Sequence, residues 1–182
     1  MIKPTVKIQA NKIFQNINVL NNLQDLKKNN SGLLWILVFT VITRTAIYLG
    51  GRPWDDNVIN DTILNGDGKV YHDIAVGFLT GIPLSETNWA ADRTLGYPYF
   101  VTALYWMSNN SIWFVLAIQT LLNILMVPMI YWTTSRIFKS DIAGTCGAAT
   151  FALSAIPVSW ASRYLFTETL FAFLLLVSLM LF

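Results

Sequence analysis

Long apolar runs alternate with polar intervals along this chain, and the runs predict helices. Residues 33–51 are apolar apart from Arg44, and at about 1.5 Å per residue such a run crosses a hydrocarbon core. Residues 112–132, 142–160 and 165–182 predict further spans, with Pro128 tolerated as a kink and Pro157 near an outer end. The 142–160 run opens on Ala143, Gly144, Gly147 and Ala148, small residues that let helices approach closely. Residues 98–107 predict an interfacial helix, because the stretch is rich in Tyr and Trp, which favour the headgroup level. Within the polar interval 52–97, Val70–Leu79 predicts a short helix with Tyr71, Ile74, Ala75, Phe78 and Leu79 on one face. It is too short to span, so it is expected to lie along the membrane surface.

Composition strengthens the membrane reading. The chain is 54% hydrophobic and 12% charged, whereas soluble domains average about 25% charged residues. Mean hydropathy is +0.50. Basic residues are not clustered on a soluble face, so nothing points to nucleic acid. Cys146 is the only cysteine, which excludes an intramolecular disulfide and reads as a small buried thiol. The N-terminus lacks the form of a secretory signal, since a long polar, Asn-rich stretch precedes the first apolar run.

Charge then orients the chain. Residues 1–32 carry Lys3, Lys7, Lys12, Lys27 and Lys28 against Asp25. The interval 52–97 carries Asp55, Asp56, Asp61, Asp67, Asp73, Glu86 and Asp92 against Arg52, Lys69 and Arg93. The positive-inside rule puts the tail in the cytoplasm and the acidic loop outside. Ile13, Ile17 and Leu20 fit a weak amphipathic helix in the tail, and a disordered tail fits equally. The fold class expected is therefore all-α: a polytopic transmembrane bundle with surface helices in a long first outer loop. The last apolar run reaches Phe182 without a polar anchor, so the chain is expected to be the N-terminal portion of a longer polytopic protein, whether natural, a gene fragment or a truncation.

Candidate chemistry gathers in the outer loop. Asp67 stands between Gly66 and Gly68 at the mouth of the short helix. Its simplest role is an N-cap accepting from orphan backbone N–H groups, and a carboxylate there also suits a general base. His72 reads as a polar-face residue of that helix or, without a defined ligand spacing, as a metal ligand. Arg93 lies in a loop turning into the interfacial helix, where a guanidinium also suits phosphate. Arg44 either snorkels to the interface or faces a polar cavity toward an anion. Glu168 is a helix-start carboxylate or a functional acid in a span.

Three stretches in order carry a resemblance: Asp67-x-x-x-Tyr71-His72-x-Ile74-Ala75 followed by Gly81, then Arg93-Thr94-x-Gly96-Tyr97-Pro98, then Thr167-Glu168-Thr169-Leu170-Phe171. Over residues 33–182 the chain resembles the N-terminal part of GT-C membrane glycosyltransferases. The nearest likeness is to the protein mannosyltransferase-like (family 39 type) and lipopolysaccharide galacturonosyltransferase-like group, similar to the aminoarabinose transferases. The resemblance implies that Asp67 is the essential acid of the first outer loop. It implies substrate-binding roles for Tyr71, His72, Arg93, Tyr97 and Glu168, and makes Asp92 a candidate second acid. Gly68 stands where many members have another acid or Ser, and Leu95 where members usually have Pro.

The implied activity is transfer of a sugar from a polyprenyl-phosphate donor to an acceptor hydroxyl on the outer face of a plasma or bacterial inner membrane. The partners implied are the lipid-linked donor, membrane lipids and an acceptor of open identity. No cofactor is fixed, and a divalent metal is left open. Two other readings of the residues stand beside it. A transporter or flippase fragment would account for Arg44 and Glu168 in the spans, and a non-catalytic membrane scaffold would leave Asp67 as a cap alone.

Overall fold

The computed structural model describes residues 31–82, 94–155 and 161–181. Among them the chain is helical, with no strand. The expectations placed on the 1–30 tail and on Glu86, Asp92, Arg93 and Pro157 lie outside the described residues. The helices are α1 (Ser31–Gly50), α2 (Asp56–Val58), α3 (Asp67–Thr80), α4 (Gly96–Ser108), α5 (Ile112–Phe138), α6 (Asp141–Leu153) and α7 (Thr167–Leu181). Of these, α1 and α5 are long and apolar enough to cross a membrane; α7 is a shorter apolar helix.

α5 is the central strut, packed on α6 and α7. The start of α1 meets its C-terminal half and α6, where Leu33, Ile36 and Leu37 pack on Val127 and Tyr131 of α5 and Ala148 of α6. The far end of α1 meets its beginning, where the Tyr48 hydroxyl donates to the Trp113 carbonyl at 3.0 Å. α1 and α6 therefore run antiparallel to α5, and α7 runs parallel to it. Small residues set the α5–α6 spacing. A Cβ on Gly144 would collide with Ser135 Oγ and the Tyr131 carbonyl, and one on Gly147 would crowd Thr134. The expected role of these glycines is what the packing displays, whereas Cys146, expected to be buried, is exposed on α6.

Arg44 differs from both of its expected roles. It neither snorkels nor faces an anion; only 1% of its surface is exposed. Its Nε donates to Asn123 Oδ1 at 3.2 Å, Nη1 to the Ala152 carbonyl at 2.7 Å and Nη2 to the Phe151 carbonyl at 3.3 Å. Phe151 and Ala152 lie in the last turn of α6, where carbonyls lack i+4 N–H partners (Phe151 accepts from the Ser154 N–H at 3.2 Å) and a cation complements the helix dipole. One guanidinium thus ties α1, α5 and the end of α6 together.

The predicted boundaries shift in five places. α5 runs past Trp132 through Arg136, and its C-cap is Lys139 in the left-handed region (φ 49°). The apolar run 142–160 is helical over Asp141–Leu153, and Ser154 is extended (ψ 121°). The last run begins its helix at Thr167, and the interfacial helix is one turn longer than 98–107. α3 starts at Asp67 rather than Val70, and its apolar face does not lie free for a membrane surface. Val70, Tyr71, Ile74 and Ala75 are buried, in the helix face that packs on α4. Tyr71 and Ala75 share a core with Tyr97, Val101, Leu104 and Tyr105 of α4 and with Val115 and Leu116 of α5. Close packing of Tyr71, Tyr97 and Tyr105 with these aliphatic side chains takes that face out of water without a lipid surface.

Candidate active site

The ends of the bundle differ in charge. At the end formed by the start of α5 and α7 lie Asp55, Asp56, Asp61, Asp67, Asp73 and Glu168 against Arg52, Lys69 and Arg163. The other end, where α5 finishes, carries Arg136 and Lys139 against Asp141. The candidate residues belong to the acidic end.

The chain reaches Asp67 by an unusual route. Asp55 caps α2, accepting from the Asn57 N–H at 3.1 Å. The helix then widens into a π turn over Ile59–Ile63, closed by Leu64 N–H donating to the Ile59 carbonyl at 2.8 Å. π turns hold one residue more than an α turn and are frequent at functional sites. Gly66 follows with φ 58° and ψ −128°, a conformation that requires glycine, and it is the N-cap of α3. Asp67 is therefore the first residue inside the helix and not its cap. The helix N-terminus favours a negative charge there.

Gly68 explains why no second acid follows Asp67. A Cβ at this position would collide with the Ile63 carbonyl and touch the Leu165 side chain. The close approach locks the π turn, the start of α3 and the segment before α7 against one another. Those three segments border an open, shallow cleft of about 380 Å³ lined by Asp61, Thr62, Asn65, Gly66, Asp67, Tyr164 and Phe166. Tyr164 and Phe166 form its aromatic wall, with ring centroids 5.2 Å apart and planes 13° from parallel.

A buried hydrogen-bond chain holds that wall. Gln119, fully buried in α5, accepts from the Tyr97 hydroxyl at 3.0 Å. Its Nε2 donates to the Phe166 and Tyr164 carbonyls at 3.4 and 3.5 Å. One residue on, Thr120 Oγ1 lies 3.1 Å from Ser162 Oγ, fixing the helical turn 161–163 as well. Burial raises the Tyr97 pKa well above its ordinary value, with smaller contributions from Tyr105, Tyr71 and Glu168, so Tyr97 remains a donor.

The residues singled out from the sequence separate into groups. Asp67 is exposed and lines the cleft. Tyr71 and Tyr97 lie in the core behind it, edge to face at 4.9 Å. His72 is half-buried one helical turn on from Gly68, with Nδ1 2.8 Å from the Tyr105 hydroxyl. Burial lowers its pKa, Asp73 acts the other way and Lys69 lowers it further. Burial pushes the Tyr105 pKa upward, so its hydroxyl keeps its proton, and the imidazole tautomer sets which of the two partners donates. Glu168 is exposed in the first turn of α7, two residues beyond Phe166. Asp92 and Arg93 lie outside the described residues.

No family model, curated protein or solved structure matches this chain.

Sequence reasoning missed Asp61, Gln119, Arg163, Tyr164 and Phe166. Gln119 had a signal: an amide inside a long apolar run acts as hydrogen-bonding glue between helices. Arg163 sits immediately before the aromatic wall, its stem packed over Gly51 at the end of α1. Arg52 and Lys69, in contrast, are engaged by Asp55 and Asp73 at 3.2 Å each. For a divalent metal, Asp61, Asp67 and the Asn65 amide offer oxygen donors suited to a hard cation. Among the described residues, however, no three His, Cys, Asp or Glu side chains assemble as a ligand set.

Proposed function

We propose that this chain belongs to a polytopic membrane glycosyltransferase that moves a sugar from a polyprenyl-phosphate donor to an acceptor hydroxyl at the outer face of a plasma membrane. The observation that carries the reading is the shared cleft. An exposed carboxylate, Asp67, opens onto a shallow cleft of about 380 Å³ that the Tyr164–Phe166 stack also lines. A carbohydrate ring has apolar C–H faces that lie on aromatic rings and hydroxyls that bond to carboxylates. The charge asymmetry supports the orientation, since the basic end of the bundle suits the cytoplasm and the acidic end the outside.

In this reading α1 and α5 span the bilayer, and α6 and α7 belong to the same bundle. The acceptor hydroxyl gives its proton to the Asp67 carboxylate as its oxygen attacks the anomeric carbon. The bond from that carbon to the donor's phosphate oxygen breaks, and the polyprenyl phosphate leaves with the electron pair. A single displacement inverts the anomeric centre. Arg93 and Arg163 supply positive charge for the leaving phosphate.

The test is Asp67→Asn in the intact protein, assayed for sugar transfer from polyprenyl-phosphate donors alongside donor binding. Loss of a general base lowers turnover about 10²–10⁴-fold while binding persists. Unchanged turnover would remove Asp67 from the chemistry, and absence of donor binding in the wild type would favour the scaffold reading.

A further inference from the structure

Asn65 and Gly66 are the one Asn-Gly pair in the chain, and they line the cleft together with Asp61 and Asp67. The side-chain carbonyl carbon of an asparagine lies within ring-closing reach of the next residue's backbone nitrogen. A Cβ on that next residue obstructs the approach, and glycine has none. Attack by the nitrogen on Cγ closes a five-membered succinimide and expels the amide nitrogen as ammonia.

The structure leaves this pair open to the reaction. Asn65 lies between the π turn Ile59–Ile63 and α3, outside both. No ladder of backbone hydrogen bonds therefore clamps its ψ at the helical value, which keeps Cγ away from the following nitrogen. Both residues are exposed. Among the described residues the Asn65 side chain makes no hydrogen bond and the Gly66 N–H donates to no carbonyl. Gly66 is also the N-cap of α3, where the helix dipole favours the negative charge that develops on its nitrogen as the N–H proton leaves.

The other asparagines and the neighbouring Asp-Gly pair are held. Asn57 lies in α2 and Asn60 in the π turn, with the Asn60 Nδ2 donating to the Asp56 carbonyl at 2.9 Å. Asn110 precedes Ser111, whose N–H donates to Ser108 Oγ at 3.3 Å. Asn123 is buried in α5. Asp67 is followed by glycine too, but it is inside α3, and Gly68 is pressed against the Ile63 carbonyl.

We propose that Asn65–Gly66 is a self-modifying site that turns the neutral amide of the cleft into a carboxylate. The Gly66 N–H gives its proton to hydroxide, and the nitrogen bonds to Asn65 Cγ. The Cγ–Nδ2 bond breaks, and Nδ2 takes up a proton and leaves as ammonia. Water then opens the ring at either carbonyl, giving aspartate or isoaspartate. The net reaction consumes one water and releases one ammonia, with no change of oxidation state. The cleft then carries three carboxylates in place of Asp61 and Asp67 alone. The isoaspartate route also adds a methylene to the main chain just ahead of Asp67. The site rests on neither the membrane orientation nor the glycosyl-transfer chemistry.

The intact protein is to be aged in detergent at neutral pH. Conversion is read by peptide mass spectrometry, by released ammonia and by labelling with an isoaspartyl methyltransferase. Asn65 converts about tenfold faster than Asn57, Asn60 or Asn110 in the same sample, as the absence of a Cβ on Gly66 requires. Ammonia appears in equal amount, and the methyl label falls on residue 65. Asn65→Gln keeps Gly66 and its backbone conformation, so it folds, and its longer side chain loses the label. Conversion of Asn65 no faster than of the other asparagines overturns the proposal, as does conversion seen only after unfolding in urea. A label on Asp67, or one that persists in Asn65→Gln, assigns the reaction to Asp67–Gly68 and overturns it as well.

Discussion

Arg44 and Ala152 lie 108 positions apart in sequence, and the guanidinium of one donates to the backbone carbonyl of the other at 2.7 Å. The contact closes the end of α6 with a side chain from α1. Arg44→Leu removes the donor to two helix-terminal carbonyls and to Asn123; the Phe151 carbonyl still accepts from the Ser154 N–H, and the buried Ala152 carbonyl loses its guanidinium donor. A buried acceptor left unpaired costs about 1–3 kcal/mol. Relief of burying a charge offsets part of this, so a net loss of about 2–4 kcal/mol is expected in detergent unfolding. Arg44→Lys keeps the charge without the fork and falls in between. A stabilised Arg44→Leu protein would show that desolvation outweighs the three hydrogen bonds.

His72 makes the α3–α4 contact sensitive to acid. Its pKa is lowered in the folded chain, chiefly by burial, so near and below its ordinary value of about 6.5 the unfolded chain binds more protons. Stability is therefore complete above that value and falls as pH drops through it toward the lowered one. With Nδ1 as acceptor, Tyr105→Phe removes a donor to the neutral ring, and the His72 pKa moves back up. An NMR titration of the imidazole reads the shift directly; a further fall in the mutant would mean that Nδ1 carries the proton.

Gly68→Ala is expected to destabilise the acidic end out of proportion to one methyl group. The added Cβ meets the Ile63 carbonyl, which is backbone and cannot swing aside. Overpacking of this kind costs about 1–3 kcal/mol. Increased proteolysis or hydrogen exchange confined to residues 59–70 and 163–168 would identify the site of strain. A uniform effect across the chain would not.

Gln119→Leu leaves the buried Tyr97 hydroxyl without its acceptor and the Tyr164 and Phe166 carbonyls without their shared donor. Destabilisation of about 2–3 kcal/mol follows from the groups left unpaired. Gln119→Glu keeps the acceptor for Tyr97 and loses the donor to the wall. Its effect therefore falls on the aromatic stack, as a raised KM with little change in kcat if the stack binds substrate.

The helical fold was legible because apolar runs of this length leave little alternative to helices, and the stretch from Tyr71 to Leu79 showed its period. The partner of that face was not legible. An apolar stripe states that something covers it, and only the tertiary structure distinguishes lipid from Tyr97, Val101 and Tyr105. Arg44 was conspicuous as a charge in a span, yet its partners are backbone carbonyls, which no side-chain pattern advertises. At the cleft, Asp67 announced itself between two glycines. Asp61 did not, because a π turn has no sequence period to set the phase of its residues.

That phase has a consequence for insertions and deletions. Successive residues of an α-helix are about 100° apart around the axis, and the π turn Ile59–Ile63 absorbs one surplus residue between α2 and Leu64. Removing a single residue there restores α geometry and rotates all that precedes it relative to α3. Asp61 and Asp67 then no longer open on one space. A frame-preserving deletion of one codon at this turn therefore dismantles the pairing of the two carboxylates, although neither aspartate is altered.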